Sequence, residues 1–336
     1  MSRAPPPSGG KEFPCALSAK RFNDLSAFRA PATPPAFFYQ EPSVPKSFSE
    51  IAKNHPWFGT GRAVSGRIHL PVCPGCNIAC RFCERSLNTT ENRPGVATCV
   101  LSPEETIPLI KEALKLSPEI RVVGIAGPGD TLASDNAFTT FRLIGQKFPH
   151  LIKCMSTNGL LLSERAAEVV AAGIDTLTVT VNAVNPEIEA KLNDYIIWHG
   201  KKIDGIEGAK ILIQNQIEGI RKISAAGITV KVNTVLVPRI NGFHIEEIAE
   251  TVAAAGAKKY NIIPLIPTAK LKDEPAPTCQ ELHLARNAAS QHIELFLHCN
   301  HCRADAVGVP GRTEFSKILY AKLGTAAAID ENFSHG

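Results

Sequence analysis

The feature that most constrains the fold is a regular alternation of short β-branched runs with amphipathic helical stretches, which begins at position 67. The six β-branched runs read RIHLPV, RVVGIAG, LIKCMSTNG, TLTVTVNAV, ITVKVNTVLVP and YNIIPLI. Six strand-then-helix units in a row predict a parallel sheet, because each strand needs a crossover helix to return in the same direction. We therefore predict an α/β fold, a curved and partial (β/α)6 barrel with its functional residues at the carboxyl ends of the strands.

The helical stretches carry start and stop signals. SPEETIPLIKEALKL opens with Ser102 and Glu105 at the spacing of a capping box and with Pro103 at the first helical position. SERAAEVVAAG ends at Gly173 and EGAKILIQNQIEGIRKISAAG at Gly227, and glycine commonly follows the last turn of a helix. These signals predict helices between the strands.

Composition and charge bear on partners and location. The net charge of +4 is spread over 336 residues without a basic block, so we expect no nucleic-acid partner. No apolar run reaches the roughly 18 to 20 residues that span a bilayer, and the N-terminal MSRAPPPSGGKEF lacks the apolar segment of a signal peptide. We predict a cytoplasmic protein without membrane contact, and in that reducing compartment ten cysteines indicate metal or redox chemistry.

Four of the ten cysteines fall within eleven residues, directly after the first strand. Cys76, Cys80 and Cys83 form a C-x3-C-x2-C run, and Cys73 precedes it. A structural zinc site normally uses separated pairs of ligands that fill four positions, whereas this is one compact run of three cysteines. Buried or zinc-binding cysteines are the alternative explanation. Three thiolates on a [4Fe–4S] cluster would leave one iron open to chelate S-adenosylmethionine, whose reductive cleavage gives a 5′-deoxyadenosyl radical.

The run CNIACRFC after the first strand of such a barrel resembles the radical S-adenosylmethionine (radical SAM) superfamily. The resemblance implies that the Gly-rich end of the second strand, GPGD, lies against the methionine amino group, which makes Gly127, Gly129 and Asp130 candidate cofactor-binding residues. A plain turn is the alternative for this segment.

Polar residues at or near the ends of later strands are further candidates. They are Ser156, Asn158, Asn182 and Asn233. Each is a candidate for binding cofactor or substrate, and capping of a strand–helix loop is the alternative for each.

Several phrases resemble one family in the superfamily, the nitrogenase cofactor maturases of NifB type. The phrases are CNIACRFC, ENRPGV, AGPGDTLA, CMSTNGL, TVTVNAV, VKVNTVLVP, NIIPLI and CRADAVG, in this order over roughly residues 55 to 311. The resemblance implies an enzyme that takes two further [4Fe–4S] clusters, fuses them and inserts a carbide derived from S-adenosylmethionine. Such an enzyme needs ligands for one or two accessory clusters.

The resemblance supplies some of these ligands. Cys299 and Cys302 match the family's C-terminal pair, and Cys154 matches a family cysteine at the end of the third strand. Glu91 in ENRPGV matches an acidic residue that could handle protons or contact a cluster, and a plain surface carboxylate is the alternative. Cys73 is either a compensating ligand or a buried thiol.

Other family ligands are missing. The family's His-Pro-Cys reads His-Pro-Trp here, with Trp57 in the place of cysteine, and GTGRAVSG lacks an expected histidine. SLNTT, residues 86–90, replaces a further cysteine. His55 and His69 are possible ligands or ordinary packing residues. Cys15, Cys99 and Cys279 receive no role.

Three hypotheses follow. The first is a NifB-type enzyme that assembles a carbide-containing precursor of the nitrogenase cofactor, and the second is a related radical SAM enzyme with one accessory cluster and another substrate. The third is a non-catalytic iron–sulfur carrier. The resemblance also implies an electron donor of ferredoxin or flavodoxin type and proteins that donate or accept clusters. We predict a Pro-rich, mostly irregular arm over residues 1–50, the barrel over 51–296 and a cluster-binding tail over 297–336.

Overall fold

The computed structural model describes residues 46–58, 64–299 and 301–321. Its helices are α1 Phe48–Asn54, α2 Thr106–Leu116, α3 Asn136–Lys147, α4 Leu162–Ala171, α5 Pro186–Glu189, α6 Gly205–Ala225, α7 Pro238–Asn241, α8 Ile245–Ala254, α9 Cys279–Ser290 and α10 Ser316–Ala321. Its strands are β1 Gly66–His69, β2 Ile78–Cys80, β3 Ser86–Leu87, β4 Val96–Ala97, β5 Ile120–Ile125, β6 Ile152–Thr157, β7 Thr176–Thr180, β8 Asn193–Trp198, β9 Lys201–Asp204, β10 Thr229–Leu236, β11 Lys259–Pro264 and β12 Val307–Gly308. The arm predicted for residues 1–50 lies outside the described residues as far as position 45.

A seven-stranded sheet confirms the predicted partial barrel. Its strand order is β11-β10-β7-β6-β5-β1-β12, and the first six of these strands pair in parallel. The seventh, β12, comes from the C-terminal segment and pairs antiparallel with β1, where Arg67 is opposite Gly308. The pattern gives no signal for β12, because two residues establish no period.

The two faces of the sheet are packed differently. The outer face packs against the helices in the main core, where Ile68, Met155, Val179 and Val232 are fully buried. Burial of each such side chain stabilises the fold by about 1.5 to 3 kcal/mol. The inner face carries a small apolar cluster and a set of polar and cysteine side chains, so the interior of the half-barrel is chemically distinct from the core.

The first crossover helix begins later than the sequence predicts. The amide of Ser102 donates to Glu105 Oε2 at 2.7 Å, which is one half of the predicted capping box, but α2 starts at Thr106. A start at Pro103 would place Pro108 beyond the first turn, where its missing N–H would break the helical ladder. The later start keeps Pro108 in the first turn, where no intrahelical donor is needed.

The sequence pattern also misses a hairpin. β8 and β9 pair antiparallel around a two-residue turn in which His199 and Gly200 take φ of +48° and +75°. The run YIIW followed by His-Gly is a hairpin signal, because both turn residues need positive φ. β2 adds to this hairpin through β8, so the hairpin holds the loop that contains the cysteine motif.

No helix in the described part of the chain is both long and apolar enough to cross a membrane.

Candidate functional site

The three-cysteine motif lies in a loop, residues 73–83, that we call the cysteine loop. Cys76 precedes β2, Cys80 is the last residue of β2, and the amide of Cys83 donates to the carbonyl oxygen of Cys80 at 3.1 Å. Cys80 is paired with Asn193 of β8. The loop begins beside the carboxyl end of β5, where Cys73 forms a parallel bridge with Pro128. It therefore crosses the rim that the parallel sheet predicts as functional.

Burial governs the protonation of these thiols. It raises the pKa of Cys76, raises that of Cys80 well above its usual value, and raises that of Cys83 to about 11. Neighbouring thiolates of the motif raise the pKa values of Cys80 and Cys83 further, while the Arg85 guanidinium lowers all three. Such thiols become thiolates when a metal replaces the proton, so the loop suits metal binding better than catalysis by a free thiolate.

The Gly-rich turn at 127–130 binds the cysteine loop through its backbone. The amide of Gly129 donates to the carbonyl oxygen of Cys73, and the amide of Asp130 donates to that of Gly75, both at 2.8 Å. A Cβ atom on Gly129 would lie 1.9 Å from the carbonyl oxygen of Gly75, so a side chain has no room there. Gly127, with φ of +133°, begins the same turn. The close backbone approach expected at this turn is thus made to the cysteine loop itself.

Asp130 joins this turn to the end of β6. Its buried carboxylate accepts hydrogen bonds from the amide of Leu132 at 2.9 Å, the hydroxyl of Thr157 at 3.0 Å and the amide of Asn158 at 2.6 Å. Burial raises the pKa of Asp130, and these donors lower it. The carboxylate therefore fixes the segment that carries Asn158.

Asn158 is the strand-end residue that contacts the motif directly. Its Nδ2 atom lies 2.7 Å from Oδ1 of Asn77 and 3.6 Å from Sγ of Cys76. Asn77 is itself buried, and its carbonyl oxygen accepts from the amide of Ile197 in β8. Asn158 thus links the end of β6 to the cysteine loop.

Gln216 on α6 is a supporting residue that sequence reasoning missed. Its Nε2 donates to the carbonyl oxygens of Asn158 and Thr180, both at 2.8 Å, and the side chain is buried. The signal is its place on the helix face that carries Ile213 and Ile217, because a polar residue on an apolar face needs a buried partner.

The other predicted rim residues lie on neighbouring strands. Ser156 is half-buried near the end of β6. Asn182 follows β7, and its Oδ1 accepts from the amide of Val235 at 3.0 Å. Asn233 lies within β10, and its Oδ1 accepts from Nδ2 of Asn261 at 3.1 Å. Both asparagine side chains join adjacent strands.

A second group of cysteines lies around Lys231 on β10. Cys154 is the third residue of β6 and buried, which corrects the expectation that it ends the strand. Burial lowers the pKa of Lys231 on β10, whereas the thiolates of Cys299, Cys154 and Cys302 raise it. The Lys231 ammonium is therefore within electrostatic range of all three sulfur atoms. We call these three cysteines with Lys231 the interior site.

Arg67 adds a second buried cation to this region. Its Nη2 lies 3.5 Å from Sγ of Cys302 and 3.1 Å from Oε2 of Glu314. Its Nη1 donates to the carbonyl oxygen of Gly308 at 2.8 Å, which links the guanidinium to β12. The side chain thus holds the C-terminal segment beside β1.

Two histidines and a tryptophan line the interior of the half-barrel. His55 uses both ring nitrogens, because Nδ1 accepts from the amide of Trp57 at 3.2 Å and Nε2 is 3.3 Å from the hydroxyl of Thr176. His69 donates from Nδ1 to the carbonyl oxygen of Arg303 at 3.0 Å, which leaves Nε2 with a lone pair. Burial lowers the pKa of His69 to about 4, so the imidazole is neutral at pH 7.

The indole of Trp57 fills part of the same space. It packs against Val122, Ile152 and Cys154, and its ring centroid lies 5.3 Å from that of His69. The residue that stands where the resemblance implies a cysteine therefore reaches the interior site.

Cys73 and Glu91 differ in burial. Cys73 is fully buried in the main core, and burial, Asp130 and Cys76 together raise its pKa well above the usual value. Glu91 is exposed and lies 2.6 Å from Nη2 of Arg93. The structure therefore brings Cys73 near Cys76 and leaves the Glu91 side chain at the surface.

The remaining cysteines are scattered. Cys99 is buried in the main core, Cys279 is exposed at the first position of α9, and Cys15 lies outside the described residues.

The donor chemistry of both groups fits iron–sulfur clusters. Within the described residues, no three His, Cys, Asp or Glu side chains come close enough together to surround a single metal ion. The thiolates of a [4Fe–4S] cluster bind different irons and stand further apart than the donors around one ion. The cysteine loop offers three such thiols, and the interior site offers three more beside two buried cations.

Comparisons with known proteins identify relatives of this chain. A sequence profile of the Radical SAM superfamily matches residues 70–252. The chain is 48% identical over 276 residues to the FeMo cofactor biosynthesis protein NifB of Methanocaldococcus infernus, covering 81% of this chain and 91% of that protein. It is 47% identical to the protein of the same name from Methanocaldococcus jannaschii, covering 78% and 88%.

More distant similarities extend the comparison. The Azotobacter vinelandii FeMo cofactor biosynthesis protein NifB is 36% identical and is matched over 83% of this chain but 57% of its own length. The crystal structure of Streptococcus suis SuiB is similar in fold, with a TM-score of 0.50, 11% identity and coverage of 74% of this chain and 51% of that one.

Proposed function

Because the chain belongs to the NifB family of radical SAM enzymes, we propose that it assembles an iron–sulfur precursor of the nitrogenase cofactor. Radical SAM enzymes use a [4Fe–4S] cluster and S-adenosylmethionine. The observation that carries the proposal is the presence of two separate groups of thiols in one barrel, at the cysteine loop and at the interior site. A family member that only generated a radical would need the first group alone.

In this proposal the cysteine loop holds the radical cluster through Cys76, Cys80 and Cys83. When bound, the cluster and S-adenosylmethionine supply a 5′-deoxyadenosyl radical. The rim residues would border the cofactor groove; they are Gly127, Gly129, Asp130, Ser156, Asn158, Asn182 and Asn233. Asn158 supports this assignment best, because its side chain lies against Cys76 Sγ.

The interior site would hold an accessory cluster through Cys154, Cys299 and Cys302. The lone pair on His69 Nε2 is the additional donor that the interior offers, since Nδ1 is held by a carbonyl oxygen. We assign Cys73 no ligand role, because it is buried among apolar side chains. Glu91 stays a predicted proton-handling residue.

Trp57 favours a second candidate function. It stands where the family resemblance implies a cysteine ligand, and an indole supplies no thiolate for a further cluster. An enzyme with one accessory cluster and a different acceptor would fit the loss of that ligand. Membership in a family of enzymes argues against a non-catalytic cluster carrier.

The proposal implies partners outside the chain. An electron donor of ferredoxin or flavodoxin type would reduce the radical cluster, and iron–sulfur proteins would deliver clusters and accept the product. A cytoplasmic location also stays a prediction, as do the domain limits at 50 and 296.

Anaerobic reconstitution tests the proposal. Iron and sulfide are counted per chain, then S-adenosylmethionine and dithionite are added, and 5′-deoxyadenosine and S-adenosylhomocysteine are quantified together. About twelve irons with both products are expected of a cofactor precursor assembly enzyme. About four to eight irons with 5′-deoxyadenosine alone would favour the second candidate instead.

A further inference from the structure

A buried lysine in the half-barrel lacks an acidic partner. Lys231 is 5% exposed and lies third in β10. Its Nζ atom lies 5.4 Å from the ring centroid of Trp57 and 5.4 Å from that of Phe296. Across the described ranges, no carboxylate forms a salt bridge with this ammonium. The two rings therefore supply its direct favourable contacts.

Other buried lysines of the same sheet are satisfied differently. Lys259, paired in register with Lys231 on β11, places its Nζ 2.6 Å from Oε1 of Glu294. Lys153 on β6 donates to the carbonyl oxygen of Ala172 at 3.0 Å. An ammonium taken out of water without a charged partner is costly, and cation–π contacts offset only part of that cost. The Lys231 ammonium would therefore be stabilised by a nearby negative charge, and no carboxylate among the described residues supplies one.

The cysteines provide the negative charge when they bind metal. Phe296 lies three residues before Cys299, and Trp57 packs against Cys154, so the two rings that flank the ammonium are also neighbours of the thiols. Arg67, whose Nη2 lies 3.5 Å from Cys302 Sγ, approaches the same thiols from β1. A [4Fe–4S] core held by three thiolates is an anion, and reduction makes it more negative.

We propose that Lys231 is the charge-balancing residue of the interior site, which stabilises the reduced form of a thiolate-bound iron–sulfur cluster and so raises its reduction potential. This inference rests on the proposed function in one respect, namely that the interior cysteines hold a cluster. Lys231 acts here as a positioning and electrostatic residue, because it does not ligate iron itself.

The test uses the full chain with Cys80→Ala, so that the radical cluster is absent and the interior cluster alone is observed. This parent and its Lys231→Met derivative are reconstituted anaerobically, iron and sulfide are counted, and the cluster is titrated potentiometrically with detection by electron paramagnetic resonance. At a fixed potential the reduced-to-oxidised ratio is expected to fall about tenfold in Lys231→Met, which corresponds to about 59 mV for one electron.

Two further variants separate charge from packing. Lys231→Arg keeps the charge and should recover iron content and potential, whereas failure to recover either one would overturn the proposal. Lys259→Met makes the same chemical change one strand away, at a lysine already paired with Glu294, and should shift the potential much less. A shift as large as that of Lys231→Met would also overturn it.

The outcomes distinguish this inference from the proposed function. If the parent with intact Lys231 retains no iron, the interior cluster itself is excluded, and the inference is excluded with it. If the parent and its Lys231→Met derivative both bind iron and their clusters have equal reduction potentials, the interior cluster is supported and only the role of Lys231 is refuted. Loss of iron in Lys231→Met, with recovery in Lys231→Arg, supports the proposal.

Discussion

Arg303 and Asp305, one and three residues beyond Cys302, form a buried ion pair, with Arg303 Nε 2.8 Å from Asp305 Oδ1. The guanidinium also donates to the carbonyl oxygens of Asn88 and Glu91, and Asp305 accepts from the amide of Thr98 at 2.6 Å. The pair therefore ties the segment that follows the cysteine loop to the segment that carries Cys302.

Removing one member of this pair should be costly. Arg303→Met is expected to lower the free energy of unfolding by about 3 to 5 kcal/mol, because Asp305 would be left as an unpaired buried charge. Chemical denaturation of the iron-free protein measures this loss. Arg221→Met removes an exposed arginine that lies 3.8 Å from Glu218, and it should cost about 0 to 1 kcal/mol. Equal losses in the two variants would contradict the buried-pair argument.

Gly129 and Gly75 form a matched pair of positions on the two sides of one contact. Gly129→Ala should lose the radical cluster, about four irons per chain, because its Cβ would lie 1.9 Å from the Gly75 carbonyl oxygen and displace the cysteine loop. Gly75→Ala should retain the iron, since nothing lies within 4 Å of a Cβ at that position. Iron counts after reconstitution decide the matter, and an intact cluster in Gly129→Ala would contradict the packing argument.

Substitutions in the two groups of thiols should remove different activities. Cys80→Ala should abolish 5′-deoxyadenosine formation, because the radical cluster loses a ligand. Cys302→Ala should keep reductive cleavage of S-adenosylmethionine and lose interior iron. Product analysis by chromatography, together with iron counts, measures both effects. Retained cleavage in Cys80→Ala would exclude the cysteine loop as the radical cluster site.

Glu189 should make stability depend on pH. Burial raises its pKa to about 8, while Asn193 Nδ2, at 2.5 Å from Oε1, lowers it. The folded form holds the proton more tightly than the unfolded form, so the stabilisation is fully present below about pH 4.5 and declines as pH rises through 8.

Substitution isolates that contribution. Glu189→Gln should be more stable than the parent at pH 9 by a few kcal/mol, about 1.4 per unit of pKa difference, and should show a flatter pH profile. Thermal unfolding of the iron-free protein from pH 5 to 9 measures it. Glu187→Gln, at an exposed position of the same helix α5, should leave the profile unchanged. An unchanged profile in Glu189→Gln would exclude this carboxyl as the source.

Trp57→Cys tests how many accessory clusters the interior accepts. The change removes the indole that packs against Cys154 and places a thiol where the family resemblance implies one. Reconstituted iron is expected to rise by about four per chain. Trp57→Ala removes the same volume without a thiol, so it should not gain that iron. An equal gain in both variants would show that space alone limits loading.

Much of the architecture was accessible from the sequence. The six parallel strands followed from the alternation of apolar runs with helical stretches, and Gly173 and Gly227 take the positive φ expected after a helix. The cysteine loop was accessible because its three motif cysteines lie close together in sequence. β12 and the β8–β9 hairpin were not predicted, because the first has too few residues for a period and the second interrupts a strand–helix unit.

The environment of the site was harder to predict. In the sequence, Lys231 is one residue of the alternating strand VKVNTVLVP. Nothing in that pattern shows that residues 57, 154 and 296 lie close to it in space. Gln216 and Asp130 act through hydrogen bonds to backbone atoms of distant segments. Such contacts depend on the tertiary arrangement, which local periodicity does not encode.

The pairing of β12 with β1 has a consequence for the order of events during synthesis. Arg67 and Gly308 are bonded across the sheet although 241 residues separate them in the chain. A growing chain can therefore complete the cysteine loop long before its C-terminal segment is made. Until that segment returns to β1, the interior lacks Cys299 and Cys302 and stays open along one edge. The cysteine loop is thus complete at a stage of synthesis when the interior site has only one of its three cysteines.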